Sequence, residues 1–411
     1  MKELGAGKGL SSAMVRLFAL AAGLSVANIY YAQPLLAAIA KTFGVGVGTA
    51  SLLATLTTAG YAVGLAFVVP LGDVRDRRGL VTALLLVTST MLALSAAAPS
   101  FGVLAAASAV LAVTAVAGPI LVPFAASLAR DEQRGAVTGT VMSGVLLGVL
   151  LARTAGGVIA GIGGWRAVYG VAAVLTIGLA GALWRTLPSL QPAQQLGYGR
   201  LLASAMELAR TEPVLRLRSA FGFFGFATFS VFWTSIAFLL VRPPYSFGEA
   251  TIGLFALVGV AGASAAKLTG RLTDRGGDQA ATGVLLALLV ASWAVIAFDG
   301  GHELILLIAG VVLLDFAVQG AHVTNLSVIY RLRPEARSRV TTVYMTSVFL
   351  GGMAGSAASG AALAAGGWSA VALSGAGFGS AALLLWIAQT VMSHRRGHAH
   401  TLSGADMVAQ Q

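Results

Sequence analysis

Apolar residues run along this chain in long unbroken stretches, each at least about 18 residues, and each stretch ends at charges or at a Gly/Pro-rich break. Twelve helices follow from that pattern, near 13–40, 47–71, 80–97, 101–129, 136–163, 165–186, 214–241, 249–270, 280–299, 303–331, 338–364 and 368–392. Each is long enough to cross a hydrocarbon layer about 30 Å thick. The longest polar stretch divides them into two sets of six. The expected organisation is a first half over residues 1–186, a linker over 187–213, a second half over 214–393 and a tail over 394–411. The first run is too long for the apolar part of a signal peptide and no small-residue cleavage site ends it, so it reads as a retained helix.

Composition sharpens this picture. Only 10% of the residues are charged and 57% are hydrophobic, whereas a soluble domain carries roughly 25% charged residues. So few charges cannot cover a water-facing surface, and the bilayer is the expected solvent. The formal net charge of +11 raises the question of a nucleic-acid partner, and the location of the cations answers it. Arg75, Arg77 and Arg78, then Arg130 and Arg134, Arg185 through Arg218, Lys267 with Arg271 and Arg275, Arg331 through Arg339, and Arg395 with Arg396 all fall in alternate loops or tails. The remaining loops hold only Lys41, Arg166 and Arg242. Basic loops stay inside, so both termini and the linker are expected in the cytoplasm, with no nucleic acid involved. There are no cysteines, which removes disulfides, thiolate metal sites and a Cys nucleophile.

The chain also repeats itself. Gly163-Gly164-Trp165-Arg166-Ala167-Val168 recurs as Gly366-Gly367-Trp368-Ser369-Ala370-Val371, and Arg134, Met142, Gly148 and Gly157 recur as Arg337, Met345, Gly351 and Gly360. Gly72-x-x-x-Asp76-Arg77 after the second helix returns as Gly270-x-x-x-Asp274-Arg275 after the eighth. A parallel duplication of six helices places a site near mid-membrane between the halves and implies alternating access by rocking one half against the other.

On these residues the chain resembles the major facilitator superfamily over its whole length. The loop from Gly72 to Gly79 is similar to the family's signature between helices 2 and 3, although Leu80-Val81 stands where a basic pair is usual. Helix 5, with Gly139, Gly148, Gly156 and Gly157, is similar to the motif of the family's antiporters, with Ala152-Arg153 in place of Gly-Pro. The segments Ala27 to Pro34 and Arg333 to Arg339 resemble a bacterial efflux-permease branch of drug/proton antiporters. The resemblance implies an all-α membrane protein of two six-helix halves in the bacterial inner membrane. It also implies a monomer, a small-molecule substrate, protons as the coupling ion and no cofactor.

Among the 15 acids only Asp315, in helix 10, lies well inside a predicted span; its basic counterpart is Arg153 in helix 5. Buried charge costs several kcal/mol unless paired or hydrated, which makes both functional candidates. Arg153 lies roughly 6 Å and Asp315 roughly 3 Å outward of their helix centres, so the two can meet across the cavity. Pairing in one conformation and release on protonation of Asp315 would couple proton binding to the conformational equilibrium. The alternatives are an Arg153 that snorkels to the outer interface and an Asp315 that serves only as a structural acceptor. Gln319 and His322 follow Asp315 on the same face and either extend a proton path or are simply hydrogen-bonded.

For the substrate cavity the candidates are Asn28, Tyr30, Tyr31, Gln33, Phe224, Thr228, Phe232 and Gln319. They make an apolar wall with few polar groups, suited to lipophilic ligands; the rival reading is that many of these aromatics face lipid or pack. Conformational gating is expected at Gly72, Asp76, Arg77, Gly79, Asp274 and Arg275, where Asp76 would accept from a helix N-terminus and nearby arginines, and at the small faces of Gly148, Gly156 and Gly157. No metal-binding spacing, nucleophile elbow or phosphate loop is present, so the reading is a carrier and not an enzyme. Proton-coupled export of small lipophilic or amphipathic compounds leads. A sugar or metabolite exporter and an uncoupled facilitator are the alternatives.

Overall fold

The computed structural model describes residues 10–189, 197–259, 277–298, 301–333 and 336–408, with side chains to 392. Long apolar helices do not bury all of their surface in one another here. Ile162 is 87%, Ile305 78% and Leu373 75% exposed, side chains that only a lipid solvent would accept in such numbers.

The first span is two helices, α1 (Ser12–Ala27) and α2 (Ala32–Phe43), separated by Asn28–Tyr31. Pro34 in the first turn of α2 has no N–H to give to the Tyr30 carbonyl, so the helical ladder lapses just before it. The second span runs from α3 (Val47–Val63) through a π-helical turn at Gly64–Val68 to the short α4 (Leu71–Val74), and α5 (Arg77–Ala96) is the third. The fourth span is also interrupted, between α6 (Phe101–Thr114) and α7 (Ala117–Leu128). Pro119 frees the Ala115 carbonyl there, and Ser25 of α1 donates its hydroxyl to that oxygen at 2.7 Å. A freed backbone acceptor in a membrane interior must find a donor, and the neighbouring span supplies it.

Spans five and six form one continuous stretch, α8 (Arg134–Thr186), turned at Gly164, whose φ of 74° is open to glycine. The linker carries a helix of its own, α9 (Tyr198–Thr211), which the sequence pattern did not anticipate. The second half continues with α10 (Pro213–Leu240), α11 (Glu249–Phe255), α12 (Asp278–Ala297), α13 (Leu304–Leu332) and α14 (Arg337–Val408). α14 holds spans eleven and twelve, broken at Gly366 and Gly367, the positions that repeat the Gly163-Gly164 turn. The expected eighth span beyond Gly259, with Asp274 and Arg275, lies outside the described residues.

The duplication is visible in the packing. A Cβ placed on Gly144 or Gly148 of the fifth span would strike the backbone of Ala19 or Gly23 in the first. A Cβ on Gly351 or Gly355 of the eleventh would strike the backbone of Phe223 or Ala227 in the seventh. Both halves therefore use glycine in the same pair of spans to bring backbones into contact. The halves meet each other at the end away from the linker through small residues. Gly157 and Gly161 oppose Gly253 and Ala250, and Gly48 and Ser51 oppose Gly360.

Candidate transport site

Four spans deliver charged or aromatic groups to one point between the halves. Arg153 leaves the fifth span one turn before Gly157, where close contact with Gly253 leaves no room for a side chain. It is 5% exposed, so it does not snorkel. Its Nε donates to Gln33 Oε1 at 2.7 Å, and its guanidinium carbon lies 4.3 Å from the ring centre of Trp233, 4.9 Å from Tyr30 and 5.4 Å from Phe229. Its Nη2 is buried without a partner among the described residues. Asp315, 4% exposed in α13, accepts the indole N–H of Trp233 at 3.3 Å. A Cβ on Gly259 would come within 2.5 Å of Asp315 Oδ2, so glycine is what admits the carboxyl against the eighth span.

Arg153 and Asp315 thus share a depth, as their helix positions suggested, but make no direct ion pair. Trp233 stands between them. The arrangement follows the charge distribution of an aromatic ring, whose negative face meets the guanidinium while its positive edge and N–H meet the carboxyl. Trp233 was one of seven aromatics in a run of the seventh helix, and nothing in the run marked it out.

The other candidates divide. Tyr30 and Gln33 hold Arg153 directly, and Tyr31 packs its ring 3.8 Å from where a Cβ of Gly156 would sit. Asn28 is 3% exposed, in the break of the first span, and among the described residues neither polar atom of its amide has a partner. Phe224 is half-buried, edge-on to Phe223. Phe232 and Thr228 point into the second half instead. Phe232 is fully buried against Trp293 and Trp368, and Thr228 donates to the Gly375 carbonyl at 2.5 Å. Below the cage an aromatic ladder crosses the interface, from Tyr61 of the second span to Phe349 at 4.4 Å, then Phe226 at 5.0 Å and Phe229 at 5.2 Å.

Gln319 stays half-buried one turn beyond Asp315. His322 Nδ1 lies 3.0 Å from the Tyr344 hydroxyl, which also accepts from Asn325 Nδ2 at 3.5 Å. Arg218 donates to Thr282 at 2.7 Å, to Asn325 at 3.4 Å and to Asp278 at 3.4 Å. This network joins spans seven, nine, ten and eleven of one half, and from the charge pattern alone Arg218 has only a topological meaning.

At the linker end, Asp76 caps α5, accepting the Gly79 N–H at 2.9 Å. Arg77 donates to the Gly72 carbonyl at 2.8 Å and pairs with Asp73 at 3.3 Å. Gly72 lies where a Cβ would press on Ile120 at 3.1 Å. Asp73 reaches the other half, its Oδ2 accepting the Ser338 hydroxyl at 3.4 Å. Gly148 and Gly157 sit at backbone contacts, whereas Gly156 has ordinary van der Waals neighbours.

Two duplicated six-helix halves with an ionisable cluster buried between them define a membrane transporter of the two-half type. The chain belongs to the Major Facilitator Superfamily, whose family model matches residues 18–355. It is 45% identical over 378 residues to the transporter YgaY of Escherichia coli strain K12, covering 92% of this chain and 95% of that one. It is 37% identical over 375 residues to the transporter SCO4007 of Streptomyces coelicolor, covering 89% of this chain and 86% of that one. The fold is similar, at a TM-score of 0.73 and 17% identity, to a bacterial homologue of the human lysosomal transporter Spinster in an inward-facing, occupied conformation; that likeness covers 92% of this chain and 94% of the other.

Proposed function

We propose that this transporter couples proton movement to export of small lipophilic or amphipathic compounds by alternating access, in the bacterial inner membrane with both termini cytoplasmic. The observation that carries the reading is Trp233, held between Arg153 of the first half and Asp315 of the second. While Asp315 is ionised, the carboxylate draws the indole N–H and the guanidinium rests on the same ring. Protonation removes the charge at the ring edge, and the contact between halves weakens.

The magnitudes are of the right order. A desolvated cation–π contact is worth up to about 2 kcal/mol and a hydrogen bond to a charged group about 1.5–3 kcal/mol. Only the cation–π contact crosses between the halves, because Trp233 and Asp315 both belong to the second; losing about 2 kcal/mol there changes the ratio of two conformations roughly thirtyfold. The remaining wall is aromatic and aliphatic with few hydrogen-bonding groups, which supports an apolar cargo better than a sugar. Asp73 and Ser338 at the linker end supply a second, exposed contact between halves, and Gln319 with His322 extends from Asp315 towards that end as a candidate proton path.

The test is export of a fluorescent amphipathic dye from proteoliposomes under an imposed pH gradient, comparing the native chain with Asp315→Asn. Gradient-driven export that disappears in the variant supports the coupling. Export that ignores both gradient and substitution contradicts it and leaves an uncoupled facilitator.

A further inference from the structure

The valences left open around Arg153 narrow the chemistry of the cargo. Arginine has only donors, and in this cage one is taken by Gln33 while the ring faces of Tyr30, Phe229 and Trp233 take the guanidinium plane. Among the described residues Nη2 has no acceptor, although Arg153 is 5% exposed. A buried cationic donor without a partner is costly, so an acceptor arriving there is favoured twice, by the bond it makes and by the penalty it removes.

Two of the acceptors close at hand are engaged: Gln33 Oε1 takes Arg153 Nε and Asp315 Oδ1 takes Trp233 Nε1. The Asn28 amide oxygen in the same half as Arg153 is buried without a partner among the described residues, but it is neutral. A cationic cargo would meet the like charge of the guanidinium at this point. A cargo with a carbonyl or carboxylate oxygen would meet a free N–H.

We infer that the compound carried by this site presents an acceptor oxygen, neutral or anionic, to Arg153 Nη2, packs its apolar body among the surrounding aromatic rings, and is not a cation. The inference rests on reading the space between Arg153 and Asp315 as the transport site, and it does not require that transport be proton-coupled. Arg153 then has two duties, as the anchor for cargo and as the partner of Trp233.

Equilibrium binding to the intact protein in lipid nanodiscs, with no gradient, tests it with three ligands that share a ring system: acetonaphthone, naphthoate and naphthylmethylammonium. The two oxygen-bearing ligands are expected to bind about tenfold or more tighter than the ammonium, the size of effect a charge-assisted hydrogen bond gives. Arg153→Met is expected to erase that preference and Arg153→Lys to keep part of it. Because the native chain alone reports the preference, a variant that fails to fold leaves the test standing. An ammonium ligand bound as tightly as the ketone, or no binding by any of the three, overturns the inference. Loss of gradient-driven export with the preference intact would sink the coupling and spare the anchor.

Discussion

Trp233 does at the residue scale what neither charged group does alone, because its ring presents opposite electrostatic surfaces to Arg153 and Asp315. Trp233→Phe keeps a face for the guanidinium and removes the N–H. Gradient-driven export should fall by about tenfold or more in that variant, the equivalent of one hydrogen bond to a charged group, while the protein remains folded. Initial export rates in proteoliposomes, alongside a thermal melt, separate the two effects. Unchanged rates would show that the indole only fills space. Asp315 and Arg153 were legible from sequence because ionisable groups are scarce in apolar runs. Trp233 was not, because seven aromatics within four turns leave no single face to prefer. Thr228 and Phe232 stood in the same run and turn the other way, into the second half's core.

At the scale of elements, the apolar runs gave helix positions that the structure matches closely over the described residues, since a span must satisfy its own backbone hydrogen bonds. The interruptions inside spans one and four were harder to read, because a proline can bend a membrane helix or open it depending on what its neighbours offer. Here Ser25 offers a hydroxyl to Ala115. Ser25→Ala leaves that carbonyl without its donor and should cost about 1–3 kcal/mol, seen as a lower melting temperature in detergent. A larger defect is expected from Gly148→Leu, since the obstacle is the backbone of Gly23 and not a movable side chain. If Gly148→Leu melts like the native chain, the glycine contact between spans one and five is not what holds that half together. The linker helix α9 escaped notice because its polar residues and flanking prolines dominate the local composition.

For the whole molecule, the internal repeat announced two equivalent halves, and the matching glycine contacts of spans one with five and seven with eleven express it in three dimensions. What the repeat does not carry is the departure from symmetry. Arg153 and Asp315 occupy one half each, with no counterpart in the other, and that asymmetry is where the coupling is proposed to reside. The loop signature at Gly72 to Gly79 was legible as a motif; Asp76 caps α5, and Asp73 beside it accepts from Ser338 of the other half.

Because the chain has no cysteine, two introduced cysteines label cleanly. Lys41→Cys and Ser369→Cys place spin labels at exposed positions in opposite halves, at the end sealed by Gly48, Gly157 and their partners. Pulsed dipolar distances between them, recorded in mildly alkaline and mildly acidic buffer, report whether protonation releases the halves. Acid is expected to enlarge the long-distance population in the native background, and Asp315→Asn to show that population at both pH values. An Asp315→Asn protein that keeps the native response to pH would contradict the coupling.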